Sequence, residues 1–203
     1  MSKKPIIVFE GIEGSGKSHH INNVAIYLKK KKRNFIQIRE PGGNQNSEKI
    51  RSLILNNKST FNKNTDLLLY LASRSENIKL IKDNVGKKII LIDRFVDSTI
   101  AYQHYGMGIN IKLIKTINDF LLKKIKINFT FLNLVNKKNM KQRLSERKKL
   151  NRYDKFNALF YNKVQLGFLK ICNKKPTKYM KIDSNLDIID NQKKILKKIE
   201  ELI

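Results

Sequence analysis

The sequence predicts an α/β fold of three layers, in which a five-stranded parallel sheet is covered by helices on both faces. Short apolar, β-branched stretches alternate with amphipathic helical patterns, and this alternation is typical of parallel strands joined by crossover helices. No internal repeat and no Pro- or Ser-rich linker divides the chain, so we expect a single domain over residues 1–203. The predicted strands are Pro5–Phe9, Phe35–Ile38, Lys88–Ile92, Phe129–Leu134 and Tyr179–Ile182.

The segment after the first strand fits the G-x-x-x-x-G-K-[ST] pattern of a phosphate-binding loop. Ile21 and Leu28 follow it at helical spacing, so we expect a helix to begin near Lys17. Glycines let backbone amides surround a polyphosphate, and the helix N-terminus adds the positive end of its dipole. Lys17 is expected to contact the terminal phosphates, and the Ser18 hydroxyl to bind Mg²⁺. The candidate residues for binding a nucleoside triphosphate are Gly11, Glu13, Gly14, Ser15, Gly16, Lys17 and Ser18.

Polar segments follow the second and third strands, and ligands of parallel sheets bind beyond the carboxyl ends of the strands. Asp93 ends the third strand, where a carboxylate can hold Mg²⁺ or its water shell beside the phosphate loop. A structural aspartate that caps the next turn is the alternative. Arg94 follows directly, and its planar guanidinium can bind two phosphate oxygens at once.

A helix is predicted over Thr65–Asn84, with Gly86 as its cap before the third strand. Tyr70 and Arg74 are four residues apart and therefore lie on one face of this helix. An aromatic ring over a base and an arginine over its phosphate would suit a nucleotide on that face. The alternative places Tyr70 in the core and Arg74 at the solvated surface.

The formal net charge of +26 invites a nucleic-acid interpretation. The lysines are, however, scattered through nearly every segment and accompany abundant Asn and Ile, the residues of A/T-rich codons. We therefore interpret the excess as base bias on a solvated surface and expect no specific nucleic-acid partner. Cys172 is the one cysteine, which excludes an intramolecular disulfide, and we expect it to be buried in a helix. No apolar run approaches transmembrane length, so a cytoplasmic protein is expected.

Together, these segments resemble thymidylate kinase. The resemblance runs in order through residues 11–18, 39–43, 48–51, 67–74, 93–103, 147–154 and 160–164, and thus covers nearly the whole chain. The R-E-P-G-G segment and the D-R…S-T-x-A-Y-Q segment are specific, whereas the phosphate loop by itself indicates only an NTPase.

The resemblance implies a P-loop nucleoside-monophosphate-kinase-like fold and, usually, a homodimer. It implies transfer of the γ-phosphoryl group of ATP to dTMP, giving dTDP and ADP in dTTP biosynthesis, with Mg²⁺ held by Ser18 and Asp93. The implied catalytic residues are Lys17, Arg94, Arg152 and Arg147. The implied dTMP-binding residues are Glu13, Arg39, Pro41, Tyr70, Arg74, Arg94, Ser98, Thr99, Tyr102 and Gln103.

A mobile basic lid at about residues 145–156 is also implied. Family members whose phosphate loop lacks an arginine carry the catalytic arginine in the lid, and Gly14 occupies that loop position here. Arg152 is the first candidate and Arg147 the second, and the alternative is that both are surface bases. Met107 stands where the family often has an arginine, so the affinity for the dTMP phosphate is expected to depend more on Arg74 and Arg94.

Two other functions stay open on the residues alone. The first is a kinase for another deoxynucleotide or for a deoxynucleoside, which would share the phosphate loop and differ in the base site. The second is a P-loop ATPase that binds nucleic acid, as the charge suggests. Such an ATPase would need neither the segment from Arg94 to Gln103 nor a short lid.

Overall fold

The structure is a computed structural model, and it describes residues 3–123 and 125–203. Its strands are β1 (Ile6–Gly11), β2 (Phe35–Arg39), β3 (Ile89–Asp93), β4 (Phe129–Leu134) and β5 (Tyr179–Asp183). They form one sheet in the order β2-β3-β1-β4-β5, and every pairing is parallel. All the predicted strands are confirmed, each with its ends within two residues of the expected positions.

Helices occupy most of the chain between the strands. They are α1 (Lys17–Lys30), α2 (Gln45–Leu55), α3 (Lys63–Asn84), α4 (Val96–Thr99), α5 (Ile111–Leu122), α6 (Lys137–Ser145), α7 (Ala158–Asn173) and α8 (Ile188–Leu202). A π-helical segment, Ile100–Gly106, continues α4 directly, and short 3₁₀ turns lie at Tyr153–Lys155 and Pro176–Lys178. The helix predicted over Thr65–Asn84 is α3, which begins two residues earlier because Asn62 caps it from position 62.

The core lies on both faces of the sheet because successive side chains of a strand point to opposite sides. In β1, Ile7 and Phe9 pack with apolar residues of α1 and α8. Ile6 and Val8 point the other way and pack with Ile81 of α3 and with Phe95. Helices therefore cover both faces, as the sequence predicts. Cys172 of α7 is buried in a cluster that contains several aromatic side chains, which confirms its expected role as a small apolar side chain.

The topology brings the carboxyl ends of β1, β2 and β3 to one edge of the sheet. Asp93, at the end of β3, is paired in register with Phe9 of β1 and with Arg39 of β2. The segments that follow these strands therefore share one opening. Within residues 3–123 and 125–203, no helix has both the length and the apolar character that crossing a bilayer requires.

Candidate active site

The phosphate loop connects β1 to the first turn of α1. Gly14 and Gly16 have positive φ angles of 69° and 80°, a region where glycine carries no steric cost. The first amides of a helix have no intrahelical acceptor, so those of Lys17 and Ser18 are free to bind an anion. The hollow at this point is lined by Gly14, Ser15, Gly16, Lys17, Ser18, His19, Arg143 and Arg147. Gly11 ends β1 behind the loop, where an added Cβ would lie 2.3 Å from the Asn133 carbonyl oxygen.

Lys17 folds back over the loop. Its Nζ donates to the carbonyl oxygen of Ile12 at 2.9 Å and to the Ser15 hydroxyl at 3.3 Å. Burial and the neighbouring Arg94 lower the pKa of Lys17 to about 7, although the carboxylates of Asp93 and Glu13 act in the opposite direction. We therefore expect the Lys17 side chain to take up a proton when an anion binds to the loop.

We expect binding of a nucleoside triphosphate to take up protons at about pH 8, up to about one per site. Lys17 is mostly neutral there in the free protein, and a polyphosphate beside it raises its pKa by favouring the ammonium form. Calorimetric titration in two buffers of different ionisation enthalpy measures the uptake. Lys17→Arg is the control, because a guanidinium stays charged throughout. Equal uptake by both proteins would show that Lys17 is not the proton acceptor.

A second, larger cleft adjoins the hollow. Its lining is Glu13, Lys17, Ser18, Arg39, Glu40, Pro41, Arg51, Leu55, Tyr70, Asp93, Arg94, Ser98, Tyr102, Gln103, Arg147, Asn151 and Tyr153. Most of the residues predicted for the acceptor nucleotide are in this set. Thr99 and Arg74 are not, although the segments that carry them border the cleft.

Arg94 and Glu13 form the centre of the cleft wall. One guanidinium nitrogen of Arg94 donates to Glu13 Oε1 at 2.9 Å, the other donates to the Gly11 carbonyl oxygen at 2.8 Å, and the Tyr102 hydroxyl donates to the second oxygen of Glu13. Burial would raise the pKa of Glu13, but Arg94 and Lys17 outweigh it and hold the pKa below its usual value. Glu13 is therefore a carboxylate that keeps Arg94 and Tyr102 in fixed positions.

The backbone at Arg94 is in the left-handed region, with φ at 66°. For a residue other than glycine this conformation is costly and persists only where surrounding contacts enforce it. The enforcing contacts come from Glu10, which accepts hydrogen bonds from the Phe95 amide at 2.8 Å and from the Ser98 hydroxyl at 2.5 Å. Burial, and then Asp97, raise the pKa of Glu10 to about 7.

Arg74 corrects one sequence expectation. Its side chain is 2% exposed, and its nitrogen atoms donate to Glu40 Oε2 at 2.8 Å, Asn118 Oδ1 at 2.6 Å and Thr99 Oγ1 at 3.0 Å. A direct contact between Arg74 and a phosphate in the cleft is not supported, and neither is the alternative of a solvated Arg74. Thr99 is equally buried, and Arg74 links it to Glu40, which lines the cleft.

The lid segment holds the two candidates for the catalytic arginine in different surroundings. Arg152, the first candidate for the catalytic arginine, donates to the Ile54 carbonyl oxygen at 3.0 Å and to the carboxylate of Asp66, and it lines neither the hollow nor the cleft. Arg147 lines both, is 40% exposed, and donates to Asp154 Oδ1 at 2.6 Å. Arg147, the second candidate, is therefore the lid arginine that borders both cavities.

The remaining predicted residues differ in how tightly they are held. Arg39 makes two hydrogen bonds to Glu48, of 3.0 and 2.8 Å, and is 55% exposed at the rim of the cleft. Gln103 is buried and donates to the Tyr153 hydroxyl at 3.3 Å. Tyr70 presents its ring to the cleft and packs edge-on against Tyr153.

Sequence reasoning missed three residues of the site. Arg51 lines the cleft and donates to the Pro41 carbonyl oxygen at 2.5 Å. Arg143 donates to the Gly14 carbonyl oxygen at 2.9 Å and so braces the phosphate loop from α6. Tyr153 is buried in the lid segment and lines the cleft. Residues 48–51 carry part of the resemblance and could have pointed to Arg51, whereas Arg143 is one basic residue among many.

Asp93 and Ser18 fit a magnesium ion. The Ser18 hydroxyl donates to Asp93 Oδ2 at 3.2 Å, and Asp93 Oδ1 is buried with no hydrogen-bond partner in the described part of the chain. Buried carboxylate oxygens are normally paired, so an orphaned one beside a phosphate loop has the chemistry of a cation ligand. Magnesium commonly uses one or two carboxylates, several waters and substrate phosphates, which matches this small donor set.

Comparison with known proteins assigns the geometry to a family. Residues 9–195 match the family model described as thymidylate kinase. The chain belongs to the thymidylate kinase family. It is 39% identical over 191 residues to the thymidylate kinase of Thermosipho africanus (strain TCF52B), which spans 93% of this chain and 90% of that relative. It is 36% identical over 198 residues to the thymidylate kinase of Sulfurihydrogenibium sp. (strain YO3AOP1), with 96% of each chain covered.

A solved member of the thymidylate kinase family shares the fold as well. The crystal structure of thymidylate kinase from Ehrlichia chaffeensis matches with a TM-score of 0.79 at 32% identity, covering 98% of this chain and 99% of that one. The predicted P-loop nucleoside-monophosphate-kinase-like fold is therefore confirmed, and so is the predicted class of enzyme, a phosphotransferase.

Proposed function

We propose that this member of the thymidylate kinase family transfers the γ-phosphoryl group of ATP to dTMP, giving dTDP and ADP, as a step in dTTP biosynthesis. One observation carries the proposal: the hollow at the phosphate loop and the larger cleft are adjacent and share Lys17, Ser18 and Arg147. A phosphoryl group bound in the hollow therefore faces an acceptor bound in the cleft across those three residues.

The charges of the cleft suit an acceptor that is itself a phosphate. Phosphoryl transfer asks the protein mainly for positioning and for positive charge on a dispersed transition state. An acceptor phosphate carries its own nucleophilic oxygen, so no strong general base is needed. The cations that line the cleft are Lys17, Arg39, Arg51, Arg94 and Arg147. We propose that Arg94, with Arg51 and Arg39 nearer the rim, holds the acceptor phosphate in line.

The opposite end of the cleft suits a base. We propose that Tyr70 stacks on thymine, with Pro41 as a wall and Gln103 at the polar edge of the ring. Stacking of a base on an aromatic side chain is worth about 1–3 kcal/mol. We place the sugar against Glu13 and Tyr102, whose mutual hydrogen bond fixes the tyrosine ring and limits the room beside the ribose.

We propose that Asp93 and Ser18 hold Mg²⁺ together with the phosphates of ATP, on the strength of the unpaired Asp93 oxygen. A magnesium ion there supplies positive charge to the phosphates when it is bound. Lys17 and Arg147 line the same hollow, so we propose that these two side chains orient the phosphates of the donor.

We also propose that the chain forms a homodimer. The support is that α3 and α5 pack on each other and carry exposed apolar side chains. Leu68, Leu113 and Phe120 are 58%, 47% and 70% exposed. We propose that the second subunit covers these side chains.

The acceptor is tested by measuring ADP release from MgATP with dTMP, dUMP, dCMP, dGMP or thymidine. We expect dTMP to be preferred over dUMP by about 10-fold or more in kcat/KM, because one methyl group in a fitted pocket is worth roughly that. Thymidine should be poor, since it brings no phosphate to Arg94. Preference for another nucleotide or for thymidine would overturn the base site. DNA-stimulated hydrolysis without any acceptor phosphorylation would favour the nucleic-acid-binding ATPase.

A further inference from the structure

A short part of the lid is docked on α2 and α3 in this structure. We call residues 150–154 the lid arm. The Arg152 amide donates to the Leu55 carbonyl oxygen at 3.3 Å, at the end of α2. Asn57 Nδ2, in the loop after α2, donates to the Leu150 carbonyl oxygen at 2.8 Å. The arm is therefore held against the helices that border the acceptor cleft.

Asp66 is the charged centre of this contact. It lies in the first turn of α3 and is 3% exposed. One of its carboxylate oxygens accepts from the Arg152 guanidinium, and the other accepts from the Tyr153 hydroxyl at 2.6 Å. Both partners belong to the lid arm. A buried carboxylate is stable only when paired, so Asp66 and the arm fix each other.

Tyr153 connects Asp66 to the acceptor cleft. Its hydroxyl also accepts a hydrogen bond from Gln103 at 3.3 Å, and its ring lies edge-on to Tyr70 with the centroids 5.7 Å apart. Tyr70 is four residues after Asp66, so both lie on the same face of α3. The lid arm thereby contributes one wall of the proposed base site.

Asp154 connects the same arm to Arg147. It is 7% exposed, and it accepts from Arg147 at 2.6 Å and from the Asn151 amide at 2.9 Å. Asp154 directly follows Tyr153, so a displacement of Tyr153 moves the carboxylate that holds Arg147. A continuous set of contacts thus runs from Asp66 through the arm to the arginine at the junction of the two cavities.

We propose that Asp66 is a positioning residue for phosphoryl transfer: it anchors Arg152 and Tyr153, and through the lid arm it sets the position of Arg147. The inference rests on the proposed function, since it concerns the transfer step at that site. A nucleotide base stacked on Tyr70 would also contact the neighbouring Tyr153 of the lid arm, which links acceptor binding to the placement of Arg147.

The test uses Asp66→Asn, which keeps the size of the side chain and removes its charge. We expect kcat for dTMP phosphorylation to fall about tenfold or more, with KM for ATP changed by less than about threefold, because lid placement and not donor binding is affected. Asp190→Asn is the matched control, since Asp190 pairs with Lys193 on the exposed face of α8. An unchanged kcat in a folded Asp66→Asn protein would overturn the proposal.

A double-mutant cycle separates positioning from general destabilisation. If Asp66 acts through Arg147, Asp66→Asn should change kcat by less than about threefold in an Arg147→Ala background. Additive losses in kcat would overturn the inference, because they would mean that Asp66 acts independently of Arg147.

A milder variant keeps the inference testable if Asp66→Asn fails to fold. Tyr153→Phe removes only the hydroxyl that binds Asp66 and Gln103, and we expect a fall in kcat of about three- to tenfold. Tyr27→Phe is its control, because Tyr27 makes a similar hydrogen bond to Glu200 at 2.5 Å on the protein surface. Wild-type activity in Tyr153→Phe would count against the inference. Absence of dTMP phosphorylation in the wild-type protein would instead refute the proposed function.

Discussion

Replacement of Arg94 by alanine is expected to lower kcat/KM for dTMP by about 10³-fold or more, because an arginine on a transferring or accepting phosphate is worth at least that much. The contacts of Arg94 within the protein fix its position. Its left-handed backbone, at φ 66°, and its hydrogen bonds to Glu13 and to the Gly11 carbonyl oxygen hold the guanidinium at the cleft wall. A donor held in advance needs no reorganisation during the reaction, which is where much of its value lies.

Steady-state kinetics with dTMP and MgATP provide the measurement, and two further variants make it specific. Arg94→Lys keeps the charge and loses the two-pronged geometry, so it should recover only part of the activity. Arg33→Ala removes an exposed arginine beyond the end of α1 and should leave kcat/KM unchanged. Near-normal dTMP phosphorylation by Arg94→Ala would refute the assignment of the cleft as the acceptor site.

The fold was predictable from the sequence because its signals are local. Each strand is a short apolar run, and each crossover helix carries its own periodicity, so β1 to β5 could be located without knowledge of their neighbours. The phosphate loop was predictable for the same reason, since its glycines, Lys17 and Ser18 are contiguous. Parallel topology then placed Arg39 and Asp93 beside that loop.

The burial of individual side chains and the ion pairs that they form were not predictable from the sequence. Both depend on contacts between residues that are far apart in the chain. Helical spacing correctly puts Tyr70 and Arg74 on one face of α3, but it does not show that Glu40 binds Arg74 below the cleft floor. In the lid, Arg147 and Arg152 are both basic residues in one short segment. Asp66, which is 86 residues away from Arg152 in sequence, pairs with Arg152, and no local pattern around either residue predicts that contact.

Because Arg152 is paired with Asp66, we expect the larger loss of kcat in the Arg147 variant and the smaller loss in the Arg152 variant. The sequence by itself favours the opposite order. Arg147→Ala is expected to lower kcat by about 10³-fold with KM for dTMP changed only a few fold, because Arg147 alone of the two lines both the donor hollow and the acceptor cleft. Arg152→Ala should cost only about tenfold, through the position of the lid arm. The decisive measurement is kcat for both variants under saturating dTMP and MgATP.

The expected loss of kcat in Arg147→Ala depends on whether the Arg147 guanidinium can reach a bound phosphate. Its partner Asp154 is 1% exposed at the side chain while Arg147 is 40% exposed, so the carboxylate is the buried member of the pair and the guanidinium is the member that a ligand can reach. Arriving phosphates compete with Asp154 for that guanidinium, and their greater charge draws it toward the junction of the two cavities. Arg147→Ala leaves Asp154 unpaired in a buried place, so a lowered melting temperature should accompany the loss of kcat. A larger loss of kcat in Arg152→Ala than in Arg147→Ala would restore Arg152 as the catalytic arginine.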